Sequence, residues 1–132
     1  MTRSRALALV LLLATTSACT VPDRPCTEIG ASNGVNVTVQ GADRTQDLVV
    51  EVCVDGDCAT GTLFAGGTDG AFVDLAAVDS TSPVDVRVTV RSQAGAVVAG
   101  PTTVRSTPRT VQPNGPDCEP TAYQAAVTVA VA

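Results

Sequence analysis

Residues Val84–Arg91 read VDVRVTVR. Valine stands at 84, 86, 88 and 90, while Asp85, Arg87, Thr89 and Arg91 fill the positions between. Side chains of an extended chain point alternately to opposite faces, so this is a strand with one apolar and one polar face. Valine suits it, because branching at the β-carbon restricts χ1 in a way strands tolerate better than helices. Such a strand must bury its valines against another layer, and the rest of the chain repeats the pattern.

Downstream, Gln93-Ala94-Gly95 marks a turn and Ala96–Val104 a returning strand, interrupted at Gly100-Pro101. Proline has no amide donor, so that interruption predicts an edge strand or a bulge. Residues 106–120 carry Pro108, Pro113, Pro116 and Pro120 and read as an irregular crossing loop. A final strand, Tyr123–Val131, places Tyr123, Ala125, Val127, Val129 and Val131 on one side. Upstream, Val35, Val37 and Val39 alternate with polar residues; Leu48, Val50, Val52 and Val54 form a second row. A return over Asp57–Phe64 and a short strand over Ala71–Leu75 complete the set. About seven strands and no helix follow, so the expected fold is all-β: a two-layer antiparallel sandwich, with a small Greek-key barrel as the alternative.

Between two of these strands lies Val52–Cys58, VCVDGDC. Asp-Gly is a strong hairpin signal, since a type I′ turn requires positive φ at both central residues. With Asp55-Gly56 as the loop, Val54 faces Asp57 and Cys53 faces Cys58, in a non-hydrogen-bonded pair with Cα atoms ~4.5 Å apart. That separation permits a disulfide, with both sulfurs on the Glu51 face. Zinc would call for closer cysteine pairs and histidine, and a redox motif for two intervening residues. A staple that fixes hairpin register is the expected role.

The spacing of the strands resembles immunoglobulin-like and fibronectin type III-like domains, over residues 34–131 and in pattern alone. The core tryptophan and long Cys-to-Cys spacing of true immunoglobulin domains are missing. The resemblance implies that the first and last strands run parallel along one edge. Cys26 lies nine residues before Val35 and Cys118 nine before Val127. Their approaches would then start at the same end, giving a Cys26–Cys118 bridge worth ~4–5 kcal/mol in loop entropy.

The N-terminal segment reads MTRSRALALVLLLATTSAC. Arg3 and Arg5 precede an apolar run, Ala6–Ala14, about half the ~20 residues needed to span a bilayer. It therefore reads as a signal peptide, residues 1–18. Thr16-Ser17-Ala18-Cys19 resembles the lipobox of bacterial lipoproteins, with Thr16 departing from the usual aliphatic residue. The resemblance implies cleavage before Cys19 and its acylation; the alternative is ordinary secretion with a free thiol. Parity of the five cysteines favours acylation, because it leaves four to pair in an oxidising compartment. Residues 19–33 then form a lipidated N-terminus and short tether, and residues 34–132 the domain. Thr20–Pro25 would hold that domain within about 25 Å of the lipid if Cys26 belongs to the folded body.

Composition narrows the chemistry. Histidine, tryptophan and lysine are absent from the sequence, which removes the usual triads, imidazole metal sites, Schiff bases and P-loops. Arginine as the sole basic residue, with abundant Ala, Gly, Val and Asp, resembles proteins of GC-rich, actinobacterial-type genomes. A net charge of −5 without a basic stripe argues against nucleic acid. Asp55 with Asp57, and Asp69 with Asp74 around a glycine-rich turn, are candidate weak Ca²⁺ ligands, though turn aspartates serve their own backbone more often. The expectation is a monomeric, non-catalytic, lipid-anchored envelope protein with no cofactor, bound to the membrane by its lipid and to an envelope protein by an exposed face. Asp85–Arg91 and the proline-rich crossing loop are candidate faces. The alternatives are a secreted Ca²⁺- or small-ligand-binding sandwich and a carboxylate hydrolase.

Overall fold

The computed structural model describes residues 25–131. The segment expected to be a signal peptide, residues 1–18, and Cys19 lie outside the described residues.

Eight strands form two four-stranded sheets. They are β1 (Gly34–Gln40), β2 (Leu48–Val54), β3 (Asp57–Leu63), β4 (Gly70–Asp74), β5 (Val84–Ser92), β6 (Val97–Ser106), β7 (Arg109–Val111) and β8 (Ala122–Ala130). One sheet runs β4-β1-β8-β7 and the other β3-β2-β5-β6. No described residue is helical. All the predicted strands are present. The eighth, β7, lies inside the stretch expected to be irregular; it pairs antiparallel with the start of β8.

The alternating valines do what their spacing dictates. Val35, Val37 and Val39 of one sheet face Val50, Val52, Val54, Val86, Val88 and Val90 of the other, all at most 1% exposed. Leu75 and Val78, in the loop after β4, close the core at one end. The core is aliphatic: Tyr123 is only partly buried, and Phe64 and Phe72 are exposed. Two long sides complete the enclosure. Gly61 of β3 abuts β4, where an added methyl would lie 3.0 Å from the Phe72 carbonyl oxygen. On the opposite side the Ser106 hydroxyl donates to the Ala126 carbonyl (3.0 Å) and accepts the Ala126 amide (3.3 Å), satisfying β8 just past the end of β7.

Strands β1 and β8 are parallel, Val35 beside Ala125 and Val37 beside Val127. They occupy the centre of their sheet, with β4 and β7 at its edges, so the expected edge placement is corrected. The consequence for the cysteines is the same, because parallel neighbours begin at one end. That end, which also receives the end of β4, the β2–β3 turn and residues 112–121, is the N-terminal pole. The distal pole carries loops 41–47, 64–69 and 93–96.

Candidate functional site

At the β2–β3 turn Asp55 and Gly56 both have positive φ (52° and 90°), as a type I′ hairpin demands. Val54 pairs with Asp57 and Cys53 with Cys58, the register expected. The two cysteines are bridged, with Cα atoms 4.1 Å apart.

The second bridge joins Cys26 to Cys118 across 92 positions, with Cα atoms 5.7 Å apart. Around it residues 112–118 fold as two consecutive turns. The Gly115 amide donates to the Gln112 carbonyl at 3.0 Å, with Pro113 at the position where its fixed φ is favoured. The Cys118 amide then donates to the Gly115 carbonyl at 3.2 Å, with Pro116 second and Asp117 third at φ 65°. Asn114, third in the first turn, faces the incoming chain. Its Oδ1 accepts from the Thr27 hydroxyl (2.6 Å) and the Ile29 amide (2.9 Å). Its Nδ2 donates to the carbonyls of Ile29 (3.0 Å) and Glu119 (2.6 Å). Further along, Asn33 accepts the Tyr123 amide through its side chain and the Leu75 amide through its carbonyl. Residues 27–33 are thus tied to the sandwich before β1 begins.

The distal pole has its own hub. Arg44 donates to the Asp69 carboxylate and to the Phe64 carbonyl, both at 2.6 Å. The Gly66 amide donates back to the Arg44 carbonyl, and the Ala65 amide to Asp47. These bonds lock loops 41–47 and 64–69 together and hold the Phe64 ring in solvent at 66% exposure. Beside Thr45, whose amide it accepts, the Asp43 carboxyl lies below the ordinary aspartate range, and the Thr45 hydroxyl acts in the same direction.

The acidic pairs are separated. Asp69 and Asp74 stand at opposite ends of β4, ~16 Å apart for five strand residues, and Asp69 is already paired with Arg44. Asp55 and Asp57 flank the exposed hairpin tip. Among the described residues, no three His, Cys, Asp or Glu side chains gather as a metal site. A widely open depression of ≈ 480 Å³ lies at the N-terminal pole. Of the carboxylates only Asp74 lines it, with Asn33 and Thr121 as polar neighbours.

The row Asp85, Arg87, Thr89, Arg91 is less uniform than its pattern. Asp85 is paired with Arg105 at 3.0 Å and Arg87 is exposed. Thr89 is buried, at 3% exposure, a correction to the expected open face. The register of β5 against β6 shifts there, and the backbone of Gly100 lies against Thr89. The glycine-proline interruption thus makes the bulge opposite the one threonine in the row. Arg44 and Asn114, the two hubs, carried no sequence signal beyond the turn-forming Asn-Gly pair at 114–115.

The chain matches no protein-family profile, no curated protein and no solved structure.

Proposed function

We propose that this chain is an exported domain held at the cell envelope by a lipid on Cys19, and that it acts by contact with an envelope protein rather than by catalysis. The observation that supports the reading is the cysteine pairing. Cys26, Cys53, Cys58 and Cys118 are consumed in two intramolecular bridges, as suits an oxidising compartment. That leaves Cys19, in its lipobox-like setting, for acylation. On this reading the tether meets the sandwich where Cys26 is bridged to Cys118, at the N-terminal pole, which also carries the exposed carboxylates Glu28, Asp55, Asp57, Asp117 and Glu119. An acidic pole resists adhesion to anionic lipid, so the domain stands on its tether with the distal pole outward. There the pinned loops present Phe64, an aromatic of the kind enriched in protein interfaces.

Intact mass of the membrane-extracted protein tests the anchor. The expected result is a diacylglyceryl-type increment on Cys19 and transfer of a Cys19→Ala variant to the soluble fraction. An unmodified wild-type protein in the soluble fraction refutes it. A photo-crosslinker placed at Phe64 is expected to capture an envelope protein that one placed at Arg87 does not.

A further inference from the structure

The chain contains Asn-Gly twice, at Asn33-Gly34 and Asn114-Gly115, and the structure treats the two differently. Asn-Gly is the dipeptide in which a backbone amide most readily reaches the preceding side-chain carbonyl carbon, since glycine puts no β-carbon in the way. Gly34 is held in β1 between β4 and β8, paired with Asp74 and Gln124, so its amide cannot swing onto Asn33. Gly115 lies in a turn at φ 99° with open space where a β-carbon would be. Hydrogen bonds hold that pair: the Gly115 amide to Gln112, the Gly115 carbonyl from Cys118, and the Asn114 amide group to Thr27, Ile29 and Glu119.

We infer that Asn114 is a deamidation site gated by its own clamp, and that its conversion loosens residues 27–31 from the sandwich. With the clamp closed, the side chain is fixed and the Gly115 amide is engaged. When the clamp opens, the Gly115 nitrogen, losing its proton, attacks Asn114 Cγ. The Cγ–Nδ2 bond breaks and ammonia leaves with that proton, giving a cyclic imide. Water opens the ring at either carbonyl, producing an aspartyl or an isoaspartyl residue with one new negative charge. The product cannot rebuild the clamp. Nδ2 was the donor to the carbonyls of Ile29 and Glu119, and a carboxylate offers those oxygens only repulsion. The isoaspartyl form also lengthens the backbone inside the double turn. Cys26–Cys118 limits opening by joining both sides of the clamp, so a dithiol reductant, oxidised to its own disulfide as it converts the bridge to two thiols, speeds exposure of the site.

The experiment ages the purified, bridged protein and the same protein after reduction in mildly alkaline buffer. Peptide mass mapping follows both Asn-Gly sites. In the bridged protein, Asn114 is expected to convert slowly and Asn33 more slowly still. Reduction should accelerate Asn114 by about tenfold or more, as for any reaction that requires local opening. Equal Asn114 rates in the two forms, or conversion of Asn33 ahead of Asn114 in the bridged form, overturns the gating. Asn114→Asp supplies the product directly. Hydrogen exchange of the Ile29 amide should then speed up about tenfold while Val88 and Val52 remain protected; unchanged Ile29 protection overturns the loosening. If that variant does not fold, exchange is read on the aged wild-type protein at its converted fraction.

Discussion

Asn114 grips Ile29 as a neighbouring strand would, accepting its amide at 2.9 Å and donating to its carbonyl at 3.0 Å, although 85 positions separate the two. The same side chain reaches Thr27 and Glu119, so one amide group ties the incoming chain to the double turn before β8. Replacing it, Asn114→Ala, removes four hydrogen bonds at a site that water reaches. Water compensates part of the loss, so the expected destabilisation is about 1–2 kcal/mol. Chemical denaturation measures it, and exchange of the Ile29 amide locates it.

The two bridges should differ in worth. Cys26–Cys118 closes a loop of 92 positions, and its removal as the Cys26→Ser, Cys118→Ser pair is expected to cost ~4–5 kcal/mol. Cys53–Cys58 closes a loop of five around a turn whose conformation Asp55-Gly56 already dictates. Removing it as the Cys53→Ser, Cys58→Ser pair should cost ~2 kcal/mol or less by the same relation. Paired denaturation curves of the two double variants provide the comparison. A larger loss at the short loop would show that the staple sets register rather than recording it.

At the distal pole, Arg44 uses its planar head to reach Asp69 and the Phe64 carbonyl together. Lysine offers one charged nitrogen in place of that fork. Arg44→Lys is therefore expected to keep the ion pair or the carbonyl contact but not both. Partly exposed pairs contribute little, so the melting midpoint should fall by only a few degrees, consistent with about 1 kcal/mol or less. The amides of Ala65 and Gly66, which hold the same loops together, should exchange faster.

Asp43 gives a pH dependence of definite sign. The Thr45 amide, and then its hydroxyl, stabilise the ionised carboxylate and lower its pKa in the folded protein. A group depressed on folding contributes stability above its unfolded pKa, and that contribution is lost as pH falls through the folded value. The Thr45 amide resonance should therefore titrate at a pH below the ordinary aspartate range, and in Asp43→Asn that transition should vanish. The carboxylate is fully exposed, so acid unfolding of the whole domain should shift little.

What the sequence made legible was whatever depends on local periodicity. The row Val84, Val86, Val88, Val90 identified a core face, and Asp55-Gly56 set the β2–β3 register residue by residue. Illegible features depend on distant partners. Arg109–Val111 becomes a strand only because β8 lies beside it, and three residues between prolines carry no period to read. Thr89 is buried and lies opposite the bulge at Gly100, eleven positions on, which the alternation of its own strand does not reveal. The central placement of β1 and β8 follows from β4 and β7 taking the edges, a matter of topology that one-face-apolar patterns leave undetermined. The hubs at Arg44 and Asn114 are polar side chains whose partners, apart from the Glu119 carbonyl five positions from Asn114, lie 20 to 87 positions away. Asn114-Gly115 marks a turn, but nothing about the neighbours of either residue along the chain identifies its partners.

Leu63 and Phe64 are adjacent in sequence yet should behave as opposites. Leu63 ends β3 opposite Leu48 and is completely buried. Truncation by Leu63→Ala leaves a cavity in an aliphatic core and is expected to cost about 2–5 kcal/mol. The Phe64 ring lies outside, 66% exposed, while its backbone carbonyl does the structural work by accepting from Arg44 and Gly67. Phe64→Ser retains that carbonyl, so stability should change by no more than about 0.5 kcal/mol. Denaturation of both variants, with cross-linking in the envelope for Phe64→Ser, separates packing from contact. A variant as stable as wild type that no longer captures the proposed envelope partner places the contact on this ring. Undiminished binding moves the contact to another face of the sandwich.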